Sequence, residues 1–319
     1  MRPLLFAALL IAVAPTARAG DGEIALPTPM KYELLGFTED GKHLAYSETS
    51  LEADSGGPTG DFERMTFYVR ADSEGRPQQR YQGEFDGRND DKTPEDEGYP
   101  IPIIWTRQPP VEQWEAWEKA HPLLKAQPPL ENDRWDNTPA TYETRGFSLT
   151  ARKVDGRTCA IVFSLSSPGL ATKELARREC VKRLSGHGYL VLQAAWSQDG
   201  TRLALTVAHR AYSKDENDYD DFTALKVLNL EKLAQVELLD AGAGKDIDKL
   251  ARKVSTAGLS VARKGKAQTP RERTELFFAP GFEGVARKLA SALGVPAEAV
   301  KPRDWQAPYA LTVAAGPTR

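Results

Sequence analysis

Val236-Glu237-Leu238-Leu239 and Thr274-Glu275-Leu276-Phe277-Phe278-Ala279-Pro280-Gly281 decide how the last third of the chain folds, because each leads into an Ala-Arg-Lys helix. The two helical texts, Leu250-Ala251-Arg252-Lys253-Val254 and Val285-Ala286-Arg287-Lys288-Leu289, each carry apolar residues at i and i+4, which gives one buried helical face. Gly258 and Gly294 stand where each helix should stop, as left-handed caps, followed at once by Leu259-Ser260-Val261 or Val295. A closing strand is expected in Tyr309-Ala310-Leu311-Thr312-Val313-Ala314-Ala315-Gly316. The expectation is a small βαββαβ domain over residues 234–319, an antiparallel sheet with two helices on one face, ferredoxin-like in outline. Such a layout serves many functions and is diagnostic of none.

These residues resemble the C-terminal accessory domain of LytR-type cell-envelope proteins. The family pattern runs hydrophobic strand, Asn-Gly-Ser/Thr-Gly, helix, Thr-x-Ile-x-Tyr-x-Pro-Gly, helix, and a last strand closing with Gly. Here the first loop reads Asp240-Ala241-Gly242-Ala243-Gly244, and Phe278 stands for the usual Tyr. The resemblance covers about a quarter of the chain. It implies a ligand- or partner-binding module of the envelope. The phosphotransferase domain that precedes this module in LytR-type enzymes has no counterpart between Gly20 and Gln235, so no catalytic residue carries over.

The N-terminus points to export. Met1-Arg2-Pro3 is a short basic start, Leu4 to Val13 is apolar, and Ala17-Arg18-Ala19 before Gly20 forms an A-x-A cleavage site, so residues 1–19 are expected to be a signal peptide. An uncleaved anchor is the alternative. The remaining chain, 40% apolar overall, is long enough for two cores: a β-rich domain over 20–233 and the α/β domain over 234–319. Charge divides unevenly between them. From Glu237 onward there are fourteen Lys and Arg against nine Asp and Glu, whereas Gly20 to Val236 carries twenty-six against thirty-six. The densest basic run supplies Arg263, Lys264, Lys266, Arg271 and Arg273, placed by this reading in the loop between the two halves. Contact with an anionic envelope polymer is one role for it, and a solvated loop is the other.

Residues 20–233 read as an irregular β-rich domain with a small helical insert. Leu35-Gly36-Phe37-Thr38-Glu39-Asp40-Gly41-Lys42-His43-Leu44-Ala45-Tyr46 matches Ala194-Ala195-Trp196-Ser197-Gln198-Asp199-Gly200-Thr201-Arg202-Leu203-Ala204-Leu205, each a hairpin turning at Asp-Gly with positive φ angles. The phrase resembles the repeat of TolB-type β-propellers, but two copies are too few for a propeller. A third hairpin is expected from Phe147 to Arg152, turning at Asp155-Gly156 into Thr158 to Phe163. Cys159 and Cys180 are the chain's two cysteines, and an exported protein with two usually pairs them. A catalytic thiol is the alternative, although neither lies beside a histidine.

Four of the six tryptophans fall in a proline-rich insert, with Val111, Trp114, Trp117, His121 and Leu124 at helical spacing. They either dock this helix on the sheet or form a shelf for sugar rings. Asp215-Glu216-Asn217-Asp218-Tyr219-Asp220-Asp221 offers oxygen ligands, yet departs from the calcium-loop pattern at Asp220 and Lys226. Asp86 to Glu97 reads as a surface loop. The sequence carries no Gly-x-Ser-x-Gly, His-Glu-x-x-His, P-loop or dinucleotide fingerprint, and Ser185-Gly186-His187-Gly188 reads as a turn as readily as a nucleophile site. No cofactor, metal or nucleic-acid partner is expected. The leading reading is an exported, non-catalytic envelope protein that binds cell-wall glycan or an envelope protein partner. An envelope hydrolase or transferase with its site in the β-rich domain, and an assembly scaffold, are the alternatives.

Overall fold

The computed structural model describes residues 31–53, 62–88, 103–155, 159–180, 188–212 and 219–317. The expected signal segment, the surface loop over 89–97, the turn residue Gly156, the Ser185–His187 pair and residues 215–218 of the acidic run lie outside the described residues. The fold is α+β and mostly β, with four sheets among the described residues.

The first sheet is a meander of β1 (Lys31–Thr38), β2 (His43–Ala53), β3 (Phe62–Asp72) and β4 (Pro77–Arg88), with β5 (Leu123–Lys125) on the free edge of β1. Between β4 and β5 come α1 (Ile103–Thr106) and α2 (Val111–Ala120). Trp114 and Trp117 of α2 are buried with Ala45 and Tyr81, so these tryptophans dock the helix on the sheet rather than forming an open shelf. After β6 (Leu130–Trp135), the second sheet is a meander of β7 (Ala140–Thr144), β8 (Phe147–Val154), β9 (Ala160–Ser167) and β10 (Leu170–Glu179). The third joins β11 (Gly188–Trp196), β12 (Arg202–Tyr212) and β13 (Tyr219–Asn229), with β6 paired along β11.

The third sheet lies between the other two. Leu190, Leu192, Ala194 and Trp196 join the core with Phe147 and Phe163 of the second sheet, while Ala195 and Ala204 pack with Leu34, Tyr46 and Val69 of the first. A strand covered on both faces needs apolar residues at successive positions, which is why β11 reads Leu-Val-Leu-Gln-Ala-Ala-Trp without alternation.

The two duplicated hairpins have the same wiring. Thr38 Oγ1 donates to Asp40 Oδ1 (2.6 Å), which also accepts from the Lys42 N–H (3.1 Å); Ser197 Oγ donates to Asp199 Oδ1 (2.7 Å), which accepts from the Thr201 N–H (3.0 Å). Only the glycines, Gly41 and Gly200, have positive φ in these turns, so the aspartates act as side-chain acceptors and not as left-handed residues.

The C-terminal unit has β14 (Gln235–Asp240), reached through α3 (Leu230–Leu233), then α4 (Ile247–Thr256), β15 (Ser260–Lys266), β16 (Glu275–Phe278), α5 (Glu283–Leu293), β17 (Val300–Pro302) and β18 (Leu311–Ala315). Its order is β15-β14-β18-β16-β17. The expected antiparallel βαββαβ sheet is corrected to a mixed βαββαββ sheet: β14 runs parallel to β15 and β18, β16 runs parallel to β17, and only β16–β18 is antiparallel. Each helix carries the chain back along the sheet, so the strand after it must run parallel to the strand before it. Gly258 and Gly294 do take positive φ where the helices end.

This unit packs on the second and third sheets in one continuous core. Gly281, at φ +87°, brings the Ala279-Pro280-Gly281 turn so close to Phe147 that a side chain there would collide with the ring. Phe282 packs against the same ring at 5.3 Å.

Cys159 and Cys180 form a disulfide with a Cα separation of 5.3 Å, and the Cys180 N–H donates to the Cys159 carbonyl (2.9 Å). The bridge therefore closes the β9–β10 hairpin at its open end, a pairing compatible with an extracellular or periplasmic location. Replacing both cysteines by alanine is expected to cost about 3 kcal/mol, because a closed loop of this size restricts the unfolded chain. Thermal melts of the oxidised protein and the double variant check this, and equal midpoints would contradict it.

Candidate functional site

The first and third sheets part along one side to leave a cleft of about 510 Å³. Lys31, Glu33, Ser47, Thr49, Arg64, Thr66, Tyr68 and Glu84 line it from the first sheet, and Tyr189, Ala208, Arg210, Tyr212 and Asp221 from the third. Apart from His209, which also borders the cleft, these are alternate strand positions, so strand periodicity puts them on shared faces. A second opening of about 680 Å³ shares Glu33 and Leu35 with it and runs under α2 past Glu115, Glu118 and Lys125.

Tyr68 is held in place by stacking on Trp114, with ring centroids 5.2 Å apart. Burial, followed by the nearby Glu84, Glu118, Glu33 and Glu115 carboxylates, raises its pKa. Burial and then Glu131 push Tyr189 up to about 12. Both phenols stay protonated at neutral pH and can donate hydrogen bonds. Arg210 makes a two-pronged pair with Asp221 at 2.6 and 2.8 Å, and these bonds raise its pKa. The Thr49 and Thr66 hydroxyls lie 3.3 Å apart.

The two sheets that form the cleft are joined beneath it by Gln193, which is 4% exposed. Its side chain accepts from the Leu34 N–H (2.8 Å) and donates to the Leu34 carbonyl (3.1 Å) and the Gln127 carbonyl (3.2 Å). The ladder between β1 and β5 covers only Gly36 to Thr38, so Gln193 supplies the bonds a neighbouring strand would otherwise make to Leu34. The polar path continues from the Gln127 side chain to Thr144 (2.5 Å) and on to the Trp196 indole N–H (2.8 Å), which ties in the second sheet.

A second buried link anchors the other wall. Arg178 of β10 donates to the carbonyls of His209 (3.1 Å) and Asp220 (2.8 Å), and it is ion-paired with the Asp220 carboxylate. Its Nη1 also lies 3.2 Å from His209 Nδ1. A guanidinium can only donate, so Nδ1 is the acceptor and Nε2 carries the proton. Burial first and Arg178 second push His209 down to about 4. His209 is neutral at neutral pH, next to the cleft wall formed by Arg210.

The basic residues singled out in the sequence do not form a loop patch. Arg263, Lys264 and Lys266 belong to β15, an edge strand, where cationic side chains block pairing with other chains. Arg263 pairs with Glu237 (3.4 Å) on one face, whereas Lys264 pairs with Asp248 of α4 (2.7 Å) on the other. Lys266 stands opposite Asp240. Arg271 pairs with Glu275 (3.2 Å) and Arg273 with Glu298 (3.1 Å). The structure therefore brings Arg263 and Arg271 to the helix-free face and separates the other three. Sequence reasoning missed the cleft tyrosines, Gln193, and Arg303 with Trp305 on that face. A polar Gln193 inside an apolar run was the one legible signal. Among the described residues no cluster of three or more His, Cys, Asp or Glu could hold a metal ion. No protein-family model, no curated protein and no solved structure matches this chain.

Proposed function

We propose that this is an exported, non-catalytic protein of the cell envelope that binds wall glycan in the cleft between the first and third sheets. The observation that carries the reading is the lining: Tyr68, Tyr189 and Tyr212 among paired charges and hydroxyls, in an open groove of ligand size. Sugar rings offer apolar faces for aromatic rings and hydroxyls for fixed donors and acceptors. Binding rather than proton transfer is favoured because the perturbed groups move away from neutrality: Tyr68 and Tyr189 upward, Arg210 upward and His209 downward. A general acid or base works best with a pKa near the operating pH. Export is supported by the Leu4–Val13 apolar run before Ala17-Arg18-Ala19 and by the disulfide.

The mature chain, residues 20–319, should co-sediment with purified cell-wall material. Tyr68→Ala combined with Tyr189→Ala should raise the dissociation constant about tenfold, the worth of two lost aromatic contacts. Equal sedimentation of the variant, with its fold intact by circular dichroism, would move the ligand out of this cleft.

A further inference from the structure

The C-terminal sheet has one face covered by α4 and α5 and a second face with a different chemistry. Strand register sets a row across that second face: Arg263, Glu237, Thr312, Phe277 and Lys301. Two positions along, Glu275 lies beside Phe277 and Arg303 beside Lys301. Over this surface sits Trp305, 42% exposed and the one exposed large hydrophobic side chain among the described residues.

The turn that carries Trp305 is tied down by Arg303. Arg303 is buried, and its guanidinium donates to the carbonyls of Tyr309 (2.6 Å) and Ala307 (3.1 Å), fixing the turn that carries the indole. The indole meets Phe277 edge-on at 5.0 Å, and the Arg271 guanidinium covers the same phenyl ring at 5.8 Å. A buried arginine committed to loop carbonyls is costly unless its partners are fixed, and here the result is a presented aromatic face. A single exposed aromatic is ordinary on a protein surface; one on a turn tied down by a buried arginine within a charged frame is a prepared contact.

The charge of the frame selects the ligand. Glu275 is shared by Lys301 (2.7 Å) and Arg271 (3.2 Å), and Glu237 is paired with Arg263 (3.4 Å) and also attracts Arg303. Four cations thus stand against Glu237, Glu275 and the exposed Asp304 beside Trp305, so the frame keeps a positive charge after its internal pairing. From this juxtaposition we infer that the helix-free face of the C-terminal sheet is a binding site for an acidic saccharide, with a sugar ring stacked on Trp305, its carboxylate drawn to Arg271 and Lys301, and the carboxylate of a further ring drawn to Arg263 across the sheet. This site is separate from the inter-sheet cleft and goes beyond the function proposed for it.

The test is calorimetric titration of residues 20–319 with a galacturonic acid tetramer, using the fully methyl-esterified tetramer as the uncharged control. The free acid should bind, the ester about tenfold more weakly, and added salt should weaken the acid but not the ester. Trp305→Ala should weaken the acid about tenfold, while Trp305→Phe, which keeps a ring, should recover much of it. Because Trp305 is exposed, an unchanged melting temperature separates lost contact from lost fold. Tyr68→Ala with Tyr189→Ala should leave this titration unchanged, which distinguishes failure here from failure of the cleft. Equal binding of acid and ester, no effect of Trp305→Ala, or no binding of either tetramer would overturn the inference.

Discussion

Between pH 7 and pH 4 the folded protein is expected to lose about 3 kcal/mol through His209 alone. Burial and Arg178 push its pKa down to about 4 in the fold, against the ordinary 6.5 of an exposed histidine. Above 6.5 the imidazole is neutral in both states and contributes no pH dependence. As the pH falls from 6.5 toward 4, the unfolded chain takes up a proton that the folded chain refuses, so stability drops across that window and levels off below it. The refusal is local: burial and the guanidinium of Arg178 both oppose a second positive charge. Urea unfolding at pH 7, 5.5 and 4 should show this as a steeper decline in the wild type than in His209→Gln, other acid-sensitive groups being common to both. In Arg178→Met the histidine's NMR titration midpoint should move up toward 6.5. Parallel declines in wild type and His209→Gln would contradict the account.

Gln193→Leu is expected to cost about 3 kcal/mol, although it exchanges side chains of similar size in a buried position. The loss comes from the Leu34 N–H, the Leu34 carbonyl and the Gln127 carbonyl, all bonded by this one side chain. Stranding buried polar groups costs more than the added apolar contact returns. Hydrogen exchange should report it at the Leu34 amide, which should lose protection, while the C-terminal sheet stays protected. A stable variant with a protected Leu34 amide would mean that the sheets are held together without this link.

The sequence made some of this legible and hid the rest for physical reasons. The Asp-Gly hairpins, the docking of Trp114 and Trp117, the strand at Val236 and the glycines closing both C-terminal helices all follow from local chemistry, and local chemistry is what a sequence displays. The disulfide was readable from the count of cysteines. Strand direction in the C-terminal sheet is not written in the strand texts themselves; it is set by each helix carrying the chain back along the sheet. The stacking of three sheets left one trace, the unbroken apolar run around Gln193. The cleft left none, since Glu33, Ser47, Thr66 and Tyr68 look like ordinary solvent-facing positions of a strand until a second sheet is set against them. Arg263 and Lys264 are neighbours in the chain yet face opposite ways, as adjacent strand residues must. That alternation is what dissolves a basic patch drawn from sequence.

The central claim is binding without chemistry, and one measurement tests it most directly: incubate residues 20–319 with purified cell-wall material, pellet it, and assay the pellet for protein and the supernatant for released glycan fragments. The account predicts protein in the pellet up to a saturating amount, binding about tenfold weaker in Tyr68→Ala with Tyr189→Ala, and a supernatant no richer in fragments than a protein-free control. Fragments accumulating with time, or protein left wholly in the supernatant, would contradict it.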